Sequence, residues 1–303
     1  MAAPVVVLAG GTGGAKLACG LLEQAGADLV VVANTGDDIE IHGGYVSPDP
    51  DLVTFWLAGR IDERGWGLHG DTFHVMDGLR ELGDEVWFNL GDRDLALCVR
   101  RARRLAEGAT LTQAIDEARR ALGVTARVLP MCDEPVRTRV VNETGRHGFQ
   151  QFMIRERAAG PVLGVELDGV DAARPTDAVL DAIAQARVIV IGPSNPVISI
   201  GPILAVPGMR EALTGARGPV VAVSPLVGGA VLKGPTDAFM QWAGHPLSSA
   251  GIAAHYDGLL DGIVADERAD SLPTLVTDVE MGDNDARRRV ARETLRFAAS
   301  LGG

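Results

Sequence analysis

The sequence is poor in cysteine, in aromatic side chains and in positive charge, and each shortage closes off a class of protein. Its three cysteines, Cys19, Cys98 and Cys132, stand far apart with no Cys-x-x-Cys pair, which argues against a disulfide framework and a zinc knuckle. Aromatic residues make up 4% of the chain while glycine reaches 38 of 303 residues, a balance that suits a loop-rich α/β enzyme better than a β-sandwich. Lys and Arg total 28 against 40 Asp and Glu, a net charge of −12, so a duplex nucleic-acid binder is not expected. No apolar stretch reaches ~18 residues, so no membrane span is expected. The first apolar run has no basic leader and turns straight into glycines; it reads as a buried strand rather than a signal peptide, and a cytoplasmic protein is expected. The six histidines (42, 69, 74, 147, 245 and 255) show no ligand spacing, and no Gly-x-Ser-x-Gly elbow is present.

What remains is a chain with 47% hydrophobic residues, enough for a sizeable core. At ~150 residues per domain, its length allows two domains or one large domain with an insertion. Pro4–Ala9 is a β-branched run that ends in Gly10-Gly-Thr-Gly-Gly14. A helical pattern follows from Ala15 to Ala25, then a second apolar run, Asp28–Ala33. This is a βαβ unit whose strands read as buried on both faces. Helices are expected over Asp71–Leu82 and Asp94–Leu105, and Thr110-Leu-Thr-Gln113 forms a capping box for a third that stops at Gly123. Arg139–Val165 alternates like a hairpin with its turn at Thr144–Gly148. Strands resume at Arg187–Ile191, Pro219–Val223, Gly262–Ala265 and Thr274–Thr277, before a helix over Asp285–Ser300. The expected fold is α/β: a Rossmann-like, mostly parallel sheet with a smaller helical insertion domain. Residues 1–58 form the first part of the core, 59–127 the insertion and 128–303 the second part.

In such sheets the functional loops lie at the carboxyl ends of the strands. Gly10-Gly-Thr-Gly-Gly14 falls there, where bare backbone can approach a phosphate and a helix N-terminus offers free N–H groups. Lys16 could add a point charge. The loop is not a Walker A motif, because Ala15 and Leu17 stand where Gly and Ser or Thr are required. As a dinucleotide fingerprint it is imperfect, since Lys16 takes the third glycine position. A tight turn with no ligand is the plain alternative.

Asn34-Thr-Gly-Asp-Asp38 follows the second strand and could serve a ribose, a metal or an acceptor hydroxyl. In Ser47-Pro-Asp-Pro-Asp51, Asp49 and Asp51 suit a hard cation such as Mg2+, although Asp-Pro pairs also serve as loop punctuation. In Gly91-Asp-Arg-Asp94, Asp92 is a good N-cap and Asp94 complements the helix dipole. Arg93 is either an ion-pair partner or a fork presented to an anion. Gly192-Pro-Ser-Asn-Pro196 is a stiff polar loop at a strand end, with Ser194 and Asn195 as short polar groups. The basic runs Arg100–Arg104 and Arg287–Arg289 read as solvated faces, the first able to attract an anionic substrate.

These segments stand in a familiar order: Gly10-Gly-Thr-Gly-Gly, Asn34-Thr-x-Asp-Asp, Ser47-Pro-Asp-x-Asp51, Trp66-Gly-Leu-x-x-Asp71-Thr-Phe, Leu90-Gly-Asp-Arg-Asp94, Leu129-Pro-Met-x-Asp133-x-Pro, Gly192-Pro-Ser-Asn-Pro-x-x-Ser-Ile-Gly-Pro and Ala222-Val-Ser-Pro-Leu. Over nearly the whole chain the combination resembles the 2-phospho-L-lactate transferase family of coenzyme F-420 biosynthesis. The resemblance implies a Rossmann-like core with a smaller helical part. It also implies transfer of a guanylyl-activated three-carbon phosphoacid to the ribityl hydroxyl of the deazaflavin Fo, with GMP released and Mg2+ required. It places Asp51 and Arg93 against Fo, and the guanine nucleotide on the glycine loop and the Gly-Pro-Ser-Asn-Pro segment. A composition rich in Ala, Gly and Arg and poor in Lys leans toward an enolpyruvyl rather than a lactyl donor.

On that footing, Gly10, Gly11, Thr12, Gly13, Gly14, Lys16, Asn34, Thr35, Ser194 and Asn195, with Asp51 and Arg93, are expected to bind substrate. Asp49 or Asp51, helped by Asp37, is expected to hold Mg2+. Asp37 or Asp51 is expected to orient or deprotonate the hydroxyl. The partners are small molecules, with no nucleic acid and no membrane, and a homodimer is expected. A nucleotide-sugar-binding regulatory protein of the related gluconeogenesis-factor family and a nicotinamide oxidoreductase are the other readings.

Overall fold

In the computed structural model, residues 3–232 and 234–302 are described; Met1, Ala2, Lys233 and Gly303 lie outside them. Seven parallel strands form the central sheet, in the spatial order 274–276, 262–265, 220–223, 188–191, 5–9, 29–33 and 127–130. Strands Val5–Ala9 and Leu29–Ala33 are buried at every position, as continuous apolar runs in a doubly covered sheet must be. Val5, Val7 and Ala9 point into one layer, packed on helices Gly11–Ala25, Pro48–Leu57, Leu111–Ala121 and Asn284–Leu301. Val6 and Leu8 point into the other, against helices that include Asp177–Gln185, Thr236–Trp242 and Ser249–His255. A third apolar cluster joins Val46, Met76, Phe88, Leu90, Leu95 and Cys98 beside the sheet.

The chain winds outward in both directions from a switch point between Val5–Ala9 and Val188–Ile191. The loops at their carboxyl ends, Gly10–Gly14 and Gly192–Asn195, therefore face each other where doubly wound sheets bind ligands.

Four local details depart from expectation. The first helix begins at Gly11 rather than Ala15, so the glycines form its first turn. Pro48–Leu57 is helical where a loop was expected; Pro48 and Pro50 fall in its first turn, where a missing N–H costs nothing. Arg127–Pro130 is an edge strand that was not foreseen. The segment read as one hairpin is a three-stranded antiparallel sheet of 137–142, 145–148 and 164–168, with helix Phe149–Ile154 between the last two strands.

The helix caps are also crossed. Asp92 does not cap its own helix, Asp92–Ala106, whose cap is Gly91. Its carboxylate accepts from the Thr72 hydroxyl and from the His74 and Val75 N–H groups at 2.6–3.1 Å, closing helix His74–Glu81. Asp71 returns the favour, accepting from Arg93 N and Asp94 N at 2.9 and 3.1 Å. The capping box at Thr110 forms as expected.

Candidate active site

The switch-point loops are in backbone contact. A Cβ on Gly13 would lie 2.0 Å from the Pro193 carbonyl oxygen, and one on Gly10 would lie 2.6 Å from Ser199 Cβ. Gly10 N donates to Ser194 Oγ at 3.2 Å. Gly11 has φ +65°, and a Cβ there would meet nothing within 4 Å. Close packing on one side and open space on the other leave the first turn at the open edge of the loop junction.

Asp49 ties that turn to the next loop. Its Oδ1 accepts from Gly11 N at 2.6 Å and its Oδ2 from Asn34 Nδ2 at 3.0 Å. A carboxylate thus sits where a helix N-terminus attracts an anion. Asn34 also accepts from Gly36 N at 2.7 Å, which fixes its amide orientation.

Behind this lies a group of buried acids. Asp37, Asp38 and Asp49 are all more than nine-tenths buried. Burial, then the charge of Asp49, pushes Asp37 well above the ordinary carboxylate range, and its Oδ1 has no hydrogen-bond partner among the described residues. Burial pushes Asp38 up to about 7, although Ser47 Oγ donates to its Oδ1 at 2.8 Å. Burial likewise pushes Asp49 up to about 6. Several carboxylates in a low-dielectric site resist ionising together.

Beside the acids opens a cavity of about 460 Å3. Phe55, Trp66, Trp87 and Phe88 give it aromatic walls, and Asp49, Asp51 and Asp94 add carboxylates. Asp51 is bridged by Arg101: Nη1 donates to Oδ2 at 2.9 Å, and Nη2 pairs with Oδ1. Oxygens of Asp51 and Asp94 and the Cys98 sulfur lie within 4.8 Å of one another. Asp94 is pushed up to about 7 by burial and then by the charge of Asp51.

Of the residues singled out in the sequence, the first turn, Asn34, Asp37, Asp49 and Ser194 converge on the switch point, with Asp51 in the adjoining cavity. Thr35 is buried just after the second strand. Arg93 is exposed beside Asp94 and is not among the cavity-lining residues. Lys16 lies in the second turn of its helix with Nζ 6.0 Å from the Trp56 ring centroid, against which the Arg287 guanidinium also rests at 4.7 Å. Asn195 caps its own segment: Oδ1 accepts from Val197 N and Ile198 N, and Nδ2 donates to Thr236 Oγ1.

Two participants were not recognised in the sequence. Arg101 is buried, not part of a solvated face. Asp94 faces a cavity instead of only complementing a helix dipole. Their neighbours come from distant segments, so spacing carried no signal; the inward side of the Arg101 helix, with Leu95 and Cys98, was the available clue.

Fold and site together define a doubly wound α/β enzyme with an amide-lined turn and an acid-rimmed cavity side by side. The family model described as 2-phospho-L-lactate transferase CofD matches residues 5–295. The chain is 42% identical to a phosphoenolpyruvate transferase of Streptomyces coelicolor over 98% of both chains. It is 41% identical to a 2-phospho-L-lactate transferase of Methanosarcina mazei over 87% of both chains. A crystal structure of a UPF0052 family protein from Bacillus halodurans shares the fold, with TM-score 0.63, 17% identity, and 96% of this chain and 99% of that one covered. The chain belongs to the CofD family and is a transferase of coenzyme F-420 biosynthesis. Among the described residues, no helix is long and apolar enough to cross a membrane.

Proposed function

We propose that this transferase moves a three-carbon phosphoacid from its guanylyl-activated donor to the terminal ribityl hydroxyl of the deazaflavin Fo. The hydroxyl oxygen bonds to the phosphorus bearing the three-carbon group, the bond from that phosphorus to the bridging oxygen breaks, and GMP leaves with the electron pair. One observation carries the reading. Asp49 both accepts from the first-turn amide of Gly11 and lines the aromatic cavity, so a diphosphate on the turn and a flat aromatic acceptor in the cavity would be neighbours. Transfer of this kind rests on positioning and charge stabilisation, which that adjacency supplies.

The residues fit Mg2+ at Asp37 and Asp49. Asp37 offers an oxygen with no hydrogen-bond partner among the described residues, and both acids are raised by burial in a way that a cation relieves. The Asp51, Asp94 and Cys98 group fits less well, because its third member is a thiol and Asp51 is already bridged by Arg101. When bound, the ion supplies neutralisation of charge on the donor diphosphate. The first-turn amides that Asp49 leaves open, those of Thr12 and Gly13, would hold the diphosphate on its other side.

A measurement of stability tests the cation site. The Asp49 carboxyl, raised from 3.8 to about 6 by burial, keeps a proton that the unfolded chain has released. Stability from this source is full at low pH and declines as pH rises from about 4 through 6. Mg2+ at about 100 times its Kd adds about 2.7 kcal/mol. The expected result is a rise in Tm of several degrees at pH 7.5 and a clearly smaller one at pH 5. Equal shifts at both values would contradict the site.

In the cavity, Asp51 orients the hydroxyl and Asp94 takes its proton. Asp51, Arg101, Asp71 and Cys98 are the titratable and charged groups around Asp94. Because Asp94 must be ionised to act as base, kcat is expected to rise with pH through about 7. Asp94→Asn should lose about 10²-fold or more in kcat and, with it, this acid limb; an unchanged pH profile would remove Asp94 from the role.

The Ala-, Gly- and Arg-rich composition favours the enolpyruvyl donor. A cytoplasmic homodimer completes the reading, and light scattering checks its subunit count. Product mass spectrometry tests the reaction itself: Fo and Mg2+ are supplied with each guanylyl donor separately. Dehydro-F-420-0 from the enolpyruvyl donor is expected, with GMP formed in equal amount. No condensation product from either donor would overturn the proposal.

A further inference from the structure

Helix Asp92–Ala106 carries four neighbouring arginines. Arg100 and Arg104 reach Glu117, and Arg103 and Arg104 reach Glu107, as surface ion pairs do. Arg101 turns the other way and is 2% exposed. Its guanidinium grips both oxygens of Asp51, and Nη1 also donates to the Tyr45 carbonyl at 2.9 Å. Three separate segments meet at this one side chain: the strand Gly44–Val46, the helix Pro48–Leu57 and the helix Asp92–Ala106.

A buried ion pair is a poor way to gain stability, because apolar side chains of similar volume often serve as well or better. What the fork does supply is direction. A guanidinium binds a carboxylate in one plane through two parallel N–H bonds, so the carboxylate cannot rotate about its own bond. Each carboxylate oxygen has a second acceptor position, and Asp51 lines the cavity wall.

We propose that Arg101 is a positioning residue for the transfer: its fork fixes the plane of the Asp51 carboxylate so that an unused lone pair meets the attacking hydroxyl in the cavity. The inference rests on the reading that the cavity receives the acceptor. Arg101 touches no substrate; it acts through Asp51.

Arg101→Lys keeps the charge and removes the fork. The expected result is a folded protein with kcat reduced at least tenfold and the acceptor KM changed less than threefold. In an Asp51→Asn background, the same Arg101→Lys change should alter kcat less than twofold, since the path through Asp51 is already cut. A purely structural arginine would instead lower Tm and give multiplying losses. Arg101→Gln, read in the same way, serves if the lysine variant does not fold. Wild-type kcat in either folded variant, or independent losses in the double variant, would overturn the inference. Titrating Fo fluorescence with wild type and Trp66→Ala separates this from the underlying reading. If Trp66→Ala leaves the Fo Kd unchanged, the cavity is not the acceptor site and both fall. If it weakens binding while Arg101→Lys retains kcat, only the role of Arg101 falls.

Discussion

Gly13→Ala is expected to lower kcat/KM by about 10²-fold or more, although it adds a single methyl group. The new Cβ would stand 2.0 Å from the Pro193 carbonyl oxygen and 3.0 Å from its carbon. Both are backbone atoms, and the proline ring restricts how the chain can yield. Overpacking of this kind costs about 1–3 kcal/mol, and the first turn must part from the Gly192–Asn195 loop. A shift of about 1 Å in a positioning element costs roughly 10²-fold in rate. Gly11→Ala is the control: its Cβ meets nothing, and the cost is the left-handed φ of +65°, about 1–2 kcal/mol. Steady-state kinetics and melting curves of both variants check the contrast. Wild-type turnover in Gly13→Ala would show that the junction of the loops does not set the site.

Asp37→Asn should separate activity from stability. Asp37 is buried, and burial together with Asp49 makes its ionised form costly. The neutral amide removes that cost above the range where the carboxyl would ionise. At pH 7.5 the variant is expected to melt a few degrees higher than wild type, at about 2–4 °C per kcal/mol. Its kcat should nevertheless drop about 10²–10⁴-fold, the scale on which a positioned catalytic group acts, and the Mg2+-dependent rise in Tm should shrink. Gain of stability with loss of turnover is the pattern of a site held under electrostatic strain. A variant that melts lower and turns over normally would place Asp37 among ordinary core residues.

Much of this architecture could be read in the chain. Val5–Ala9, Leu29–Ala33 and Val188–Ile191 are β-branched runs too short for helices, so periodicity and length agree on strands. The glycine turn and the Gly-Pro-Ser-Asn segment follow two of them directly, which is why both were expected at the sheet's ligand edge; that they meet follows from the strand order, which pairs Val5–Ala9 with Val188–Ile191. Tertiary contacts overrode local signals elsewhere. Gly11–Gly14 are poor helix formers, yet the turn is helical because Asp49 holds its first N–H and Pro193 packs against Gly13. Pro48 and Pro50 read as punctuation and in fact start a helix. Asp71 and Asp92 exchange caps across 21 residues of chain, which local capping rules cannot anticipate. Arg101 shares a helix face with Leu95 and Cys98, which hints at its inward direction, but only packing places it beneath Asp51.

The most direct test of the account is a crystal of the protein soaked with GDP, Mg2+ and Fo. The diphosphate is expected on the first-turn amides of Thr12 and Gly13, with the deazaflavin ring in the cavity between Trp66 and Trp87 and its ribityl end toward Asp51. A nucleotide bound away from the first turn, or a deazaflavin outside that cavity, would contradict it.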